Sequence, residues 1–241
     1  MGIRKRALAI GVTTVLGILD KSGPLMSWAA RQTAEAAVAL YETDALRSMI
    51  DNIGSEGVIK AVTSRANWKR DEAAQLGSRV HAWADALVAS QPLPSLTDTE
   101  RAYAEHYAEW WQSRGWTLRL SEALVVAPAL PGNVDHEGWG GTFDLLAYDE
   151  DGRTVLADIK TGKGIYREVI LQLAAYGMAP LVSPMGSDIV YPMPKPDRYV
   201  VIHVTRDGVR EVELSIGARD WSAWLSVLDV YRWTESVKGK L

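Results

Sequence analysis

Asp144, Asp158 and Lys160 are the residues whose types and spacing point most directly to chemistry. Asp158-Ile159-Lys160 closes the apolar run Val155-Leu156-Ala157, and Asp144 stands in the preceding apolar segment Gly141-Thr142-Phe143-Asp144-Leu145-Leu146. On a strand, side chains alternate, so Asp158 and Lys160 share one face and Ile159 takes the other. Two carboxylates and an ammonium on strands otherwise rich in Leu and Val are costly to bury unless they pair or hold a metal. Two aspartates close in space make a site for a hard divalent cation, and the backbone carbonyl of Ile159 offers a further oxygen. A neighbouring lysine can orient a water, lower its pKa or stabilise transition-state charge. Phosphodiester hydrolysis needs that combination: an activated water, in-line attack and neutralisation of charge on the phosphorane and leaving oxygens. The plainer reading is also open, with Asp144 a strand-end cap and Asp158–Lys160 a structural ion pair.

Periodicity indicates the elements that must position these groups. From Thr13 to about Leu87 the pattern is mostly helical, with Trp28, Ala29, Ala36 and Leu40 spaced to share faces. Gly54, Gly57 and Gly77 punctuate it, and a helix is expected to begin at Gly77-Ser78 and run to Ala89, with His81 in its first turns. Gln91-Pro92-Leu93-Pro94-Ser95 is a linker by composition. A second helix is expected over Thr97 to Gly115, its stripe Tyr103, Tyr107, Trp110 and Trp111 packing on a sheet. Strands follow over Thr117–Val126, Gly140–Tyr148 and Arg153–Lys160, the last two joined as a hairpin through Asp149-Glu150-Asp151-Gly152. Next come a helix from Tyr166 to Leu181, a proline-rich loop, strands over Tyr199–Thr205 and Val209–Leu214, and a helix from Ala218 onward. The expected class is α/β, a mixed sheet flanked by helices. Residues 1–115 form a mainly helical region contributing His81, and residues 116–241 the core, together one compact domain.

Other residues carry weaker signals. A lone histidine on an apolar helix face is usually a core residue, the plainer reading for His81, while His106, His136 and His203 read as structural or surface residues. Gln172 and Tyr176, at i and i+4, share a helical face, either as a hydrogen-bonding pair over the sheet or in contact with a site. Glu122 reads equally well as an acid near the site or as a charge on a solvated face. Arg79, Thr161, Lys163 and Arg167 are candidates for phosphate contact, although isolated basic residues are often only solvated. The acidic run at 149–151 lacks the remaining ligands of a calcium loop, and Thr161-Gly162-Lys163-Gly164 lacks the earlier glycine and the following Ser or Thr of a P-loop. The ten tryptophans could stack unpaired bases, but most read as core.

Composition narrows the chemistry. With 241 residues the chain can bury a substantial core, and a net charge of -4 leaves room for a locally basic cleft on an acidic body. There is no cysteine, so disulfides, thiolate catalysis and cysteine-ligated zinc or iron–sulfur centres are excluded, and any metal must be held by carboxylate, imidazole or carbonyl. Such oxygen-rich ligation suits hard cations such as Mg²⁺, Mn²⁺ or Ca²⁺. Arg4-Lys5-Arg6 before the apolar run Ala7 to Leu19 imitates a secretory leader, but Asp20-Lys21-Ser22-Gly23-Pro24 follows in place of a small-residue cleavage site. A cytoplasmic protein without a membrane span is expected.

Five motifs in order, Gly77-Ser78-Arg79-Val80-His81, Glu122, Gly141-Thr142-Phe143-Asp144, Asp158-Ile159-Lys160-Thr161-Gly162 and Gln172-Leu173-Ala174-Ala175-Tyr176, resemble the RecB-like branch of the PD-(D/E)XK nucleases, which includes lambda-exonuclease-like and CRISPR-associated exonucleases. The resemblance covers most of residues 77–176. Phe143 stands where the family often has proline, and Asp158 where it often has glutamate. The resemblance implies a restriction-endonuclease-like core in which His81, Asp144, Asp158 and the Ile159 carbonyl hold Mg²⁺ or Mn²⁺. Lys160 would assist the water, Gln172 and Tyr176 shape the site, and Glu122 stand as an acid just behind or close to the metal. It further implies a deoxyribonuclease, foremost an exonuclease on single strands or DNA ends in recombination or repair, with a recombinase, annealing protein or helicase as partner. A structure-specific or sequence-specific endonuclease and a catalytically silent DNA-binding module remain alternatives. Some relatives carry a four-cysteine iron–sulfur cluster, which this chain cannot, and its N-terminal stretch looks like that of small phage-encoded members.

Overall fold

In the computed structural model, residues 10–19, 22–129 and 137–238 are described. The chain divides into two compact units, residues 19–78 and residues 1–18 with 79–241. The expected division at 115/116 therefore falls inside the second unit.

The smaller unit holds α2 (Ser22–Glu42) and the first part of α3 (Ala45–Val88). Its buried side chains include Gln32, Val58 and Ala66. The expected helix start at Gly77-Ser78 is overturned, because α3 runs unbroken through both residues and its break lies at Gly54 (φ 71°, ψ 166°). The strong helix formers Lys69 to Leu76 sustain the helix against the roughly 1 kcal/mol that one interior glycine costs.

The larger unit is an α/β structure with a mixed sheet flanked by helices. Its strands are β1 (Ile10–Gly11), β2 (Thr117–Ala127), β3 (Trp139–Tyr148), β4 (Thr154–Lys160), β5 (Leu181–Ser183), β6 (Tyr191–Pro192), β7 (Arg198–Thr205) and β8 (Gly208–Leu214). They lie in the order β6-β5-β2-β3-β4-β7-β8, with β1 added parallel to β3. The β3–β4 hairpin is as expected: Asp149 Oδ1 accepts from the backbone N–H groups of Asp151 and Arg153, and Gly152 supplies the positive φ its turn requires. From β4 the chain crosses over through α5 (Glu168–Met178) and returns to pair β7 parallel to β4.

Helix α5 is shorter than the expected span to Leu181. Ala179 is extended (φ −62°, ψ 139°), as the residue before Pro180 must be, and Leu181 opens β5. The strands β1, β5 and β6 are too short to leave a period in the sequence.

Helix α4 (Asp98–Arg114) begins at a capping box in which Thr97 and Glu100 satisfy each other's backbone N–H, and it ends on left-handed Gly115. Its aromatic stripe packs as expected: Tyr107 and Trp110 join Ala84 and Val88 of α3 and Leu145, Ala157, Ile159, Val200 and Ile202 of the sheet in one buried cluster. Each fully buried large side chain there is worth about 1.5–3 kcal/mol. The helices α1 (Val12–Leu16) and α6 (Ala218–Val237) accompany α5, which they contact. Among the described residues no helix is long and apolar enough to cross a membrane.

Candidate active site

The ladders on one edge of β3 leave a gap. Strand β4 pairs with β3 over Leu145–Tyr148, and β1 pairs with it at Trp139 and Gly140, so Gly141–Asp144 lie between the two ladders. At the mouth of this fork Asp144 substitutes a side chain for the missing ladder, its Oδ2 accepting from the backbone N–H of Ile159 at 2.5 Å. A single carboxylate thereby ties β3 and β4 together, with Asp158 and Lys160 flanking the residue it holds.

The other oxygen of Asp144, Oδ1, accepts from His81 Nδ1 at 3.2 Å. Ser121↔Leu145 and Ala123↔Phe143 are paired, which brackets Glu122 and Asp144 opposite each other on β2 and β3. Glu122 has φ 44°, the left-handed region that costs a residue with a side chain about 1 kcal/mol or more. Ligand atoms of His81, Glu122 and Asp144 all lie within 4.8 Å of one another. Thus Glu122, which the sequence left undecided between site and surface, belongs to the cluster, while Asp158 lies outside this particular triad. A histidine and two carboxylates suit a hard or borderline divalent cation.

Asp158 is buried at 2% exposure and forms a second focus. Its Oδ2 lies 2.6 Å from Lys160 Nζ in an ion pair. Its Oδ1 accepts from Gln172 Nε2 at 3.0 Å, and the same amide donates to Tyr176 Oη at 3.3 Å. Gln172 and Tyr176 sit on the buried side of α5, and the i,i+4 spacing brings both over β4 and β3 as expected. Gly141 makes room for this arrangement, since a Cβ there would meet Tyr176 Cε1 at 2.8 Å. Gly141→Ala is expected to displace the Tyr176 ring and destabilise the fold by about 1–3 kcal/mol, measured as a shift in urea midpoint at unchanged slope. A midpoint equal to wild type would show that the ring yields freely.

The electrostatics follow from crowding of negative charge. Burial, and then the Asp144 carboxylate, push Glu122 up to about 7. Asp158 is raised by burial and Asp144, against the opposing pull of Lys160. Burial of the His81 ring works against its charged form, but the hydrogen bond to Asp144 and the charges of Asp144 and Asp158 prevail and raise its pKa. Asp85, one helical turn beyond His81, adds to the upward push on Glu122 and on buried Tyr107. The i,i+4 relation of Asp85 to His81 is its one signal in the sequence.

The four candidates for phosphate contact separate. Arg79 Nε is paired with Glu100 Oε1 at 2.8 Å, which engages it in the start of α4. Thr161 is half-buried after β4, and Lys163 and Arg167 are exposed on the segment leading to α5. Of the remaining histidines, His106 bonds the Arg206 carbonyl at 3.2 Å, His203 bonds the Gly162 carbonyl at 2.7 Å, and His136 lies outside the described residues.

No known protein-family model matches the chain, and none of the curated proteins matches it. Among solved structures, one described as the crystal structure of SSO0001 aligns at a TM-score of 0.34 and 11% identity, covering 63% of this chain and 71% of that one. At that level the two share too little to transfer a fold type or an activity.

Proposed function

We propose that the chain is a Mg²⁺- or Mn²⁺-dependent deoxyribonuclease with a restriction-endonuclease-like core of the RecB-like PD-(D/E)XK kind, acting as an exonuclease on single strands or DNA ends. The observation that carries this reading is the convergence at one strand fork of His81, Glu122 and Asp144 with the Asp158–Lys160 pair, the two groups bridged by the Asp144–Ile159 hydrogen bond.

The residues fit a divalent cation by their own chemistry. Glu122 has neither a hydrogen bond nor an ion pair among the described residues, and it faces a second carboxylate. Asp158 Oδ2 is buried and is paired with Lys160. Positive charge between these groups relieves the mutual repulsion of the carboxylates. His81, Glu122, Asp144 and Asp158, with the Ile159 carbonyl as a further oxygen, are the residues that would hold it. A bound divalent ion would supply Lewis-acid stabilisation of the phosphoryl oxygens and a more acidic water.

The chain's own groups account for the rest. Lys160, its side chain about one-third exposed, holds its ammonium beside Asp158, where it can donate to the attacking water or to a phosphate oxygen. Gln172 and Tyr176 hold Asp158 in place from the buried side. Lys163 and Arg167, exposed just beyond β4, are placed to meet the phosphates of a bound strand. Hydrolysis adds one water across a P–O bond and releases the alcohol.

Purified protein is expected to degrade end-labelled linear single-stranded DNA with Mg²⁺ or Mn²⁺, to spare circular single strands, and to stop on addition of EDTA. Equal loss of circles would convert the proposal to an endonuclease. Absence of hydrolysis with either metal would leave a silent DNA-binding module.

A further inference from the structure

The mechanism above makes no use of His203, the buried polar side chain on β7 that is paired in register with Lys160 of β4. Aligned residues of a parallel pair project to the same face, so the imidazole stands beside the root of Lys160. Among the described residues it makes no ion pair with Asp158 or another carboxylate. Its Nε2 instead meets the carbonyl oxygen of Gly162, two residues past Lys160, at 2.7 Å. A carbonyl can only accept, so Nε2 carries the hydrogen and the imidazole is the donor.

That bond lies in the segment between β4 and α5. Strand β4 ends at Lys160, α5 begins at Glu168, and Gly162 and Gly164 between them have open space where a side chain would be. Two glycines in seven residues leave the segment much backbone freedom. It carries Lys163 and Arg167, both exposed, and it sets the exit angle of the strand that presents Lys160.

We infer that His203 is a positioning residue. It fastens the turn after β4 through the Gly162 carbonyl and so fixes both Lys160 and the exposed cations of residues 163–167 relative to the carboxylates. The inference rests on the nuclease reading for its catalytic consequence, but the clamp itself does not.

Two variants separate the hydrogen bond from the bulk it occupies. His203→Leu keeps an apolar side chain in the buried space and removes the donor, whereas His203→Gln retains an N–H able to reach the carbonyl. Limited trypsin digestion reads the clamp directly, because Lys163 and Arg167 are cleavage sites within the fastened segment. Cleavage after Lys163 is expected to be about tenfold faster in His203→Leu and close to wild type in His203→Gln, with cleavage in α2 and α6 unchanged. In the Mn²⁺-dependent assay kcat should fall about tenfold or more in the Leu variant with KM changed less, and the Gln variant should recover most of it.

Equal trypsin rates at Lys163 in wild type and His203→Leu would overturn the clamp. A faster cut with unchanged kcat would overturn its positioning role. If wild type hydrolyses no DNA while the trypsin pattern is as expected, the clamp stands and the nuclease reading fails. Should the Leu variant not fold, His203→Met, unbranched and equally without a donor, takes its place.

Discussion

Lys160→Ala is expected to lower metal-dependent DNA hydrolysis by about 10³-fold while leaving oligonucleotide binding within a few-fold of wild type, a loss of about 4 kcal/mol in transition-state stabilisation. The reason is the charge inventory of the site. Glu122, Asp144 and Asp158 are acidic, His81 is tied to Asp144, and Lys160 is the cationic side chain standing against them, 2.6 Å from Asp158 Oδ2. Removing it takes away the donor best placed to act on water or phosphate. The substitution also leaves Asp158, already pushed upward by burial and Asp144, without its counter-charge. Some loss of stability should follow, about 1–2 kcal/mol after allowing for the solvent exposure of the ammonium, and less once Mn²⁺ is present to replace the missing charge. Lys160→Arg should not restore the rate, because a planar fork cannot occupy the position of a compact ammonium. Single-turnover rates with Mn²⁺, beside fluorescence anisotropy of a labelled strand in EDTA, check both halves. A variant retaining more than about a tenth of the wild-type rate would remove Lys160 from the reaction.

Much of this arrangement was legible in the sequence because strand periodicity is strict. The alternation of Val155 to Lys160 placed Asp158 and Lys160 on one face, and their contact follows from it. The i,i+4 spacing of Gln172 and Tyr176 and the stripe from Tyr103 to Trp111 were equally local, and both pack as their spacing required. What escaped was set by long-range geometry. The role of Glu122 depends on a register between β2 and β3 that brings it opposite Asp144, and on a left-handed backbone that no residue type announces. The fork at Gly141–Asp144 exists because β1, a two-residue strand from the far end of the chain, pairs with β3 where β4 has left it. The true break in α3 at Gly54 rather than Gly77 shows the same limit, since both are glycines in helix-rich surroundings and neighbours alone cannot say which one bends. His203 reads in the sequence as either a structural or a surface residue; it is buried, and its donor is aimed at the backbone that follows Lys160.

Glu122→Gln is expected to move stability and activity in opposite directions. In the metal-free protein the Glu122 carboxyl titrates near 7, above its usual 4.5, because burial and then the facing Asp144 oppose its charge. A carboxyl with a raised pKa binds its proton more tightly in the folded than in the unfolded chain. Its contribution to stability is therefore complete below about pH 4.5 and is lost as pH rises through 7. The full shift corresponds to about 3 kcal/mol, and screening of a partly exposed side chain reduces this to about 1–2 kcal/mol. In EDTA at pH 8 the Gln variant should accordingly be more stable than wild type by that amount, and the gap should close by about pH 5. The raised groups His81 and Asp158 remain in both proteins and largely cancel from the difference. Adding Mn²⁺ should reverse the ranking. The wild type gains stability by mass action through a complete donor set, whereas the variant offers a neutral amide in place of one carboxylate and gains less. Hydrolysis in the variant should fall about 10–100-fold, recoverable in part at high Mn²⁺. Chemical denaturation at pH 5 and pH 8, each with EDTA and with Mn²⁺, gives the four numbers needed. An equal Mn²⁺ shift in both proteins would place Glu122 outside the metal site, and an absent pH 8 advantage would show that its charge is already relieved within the fold.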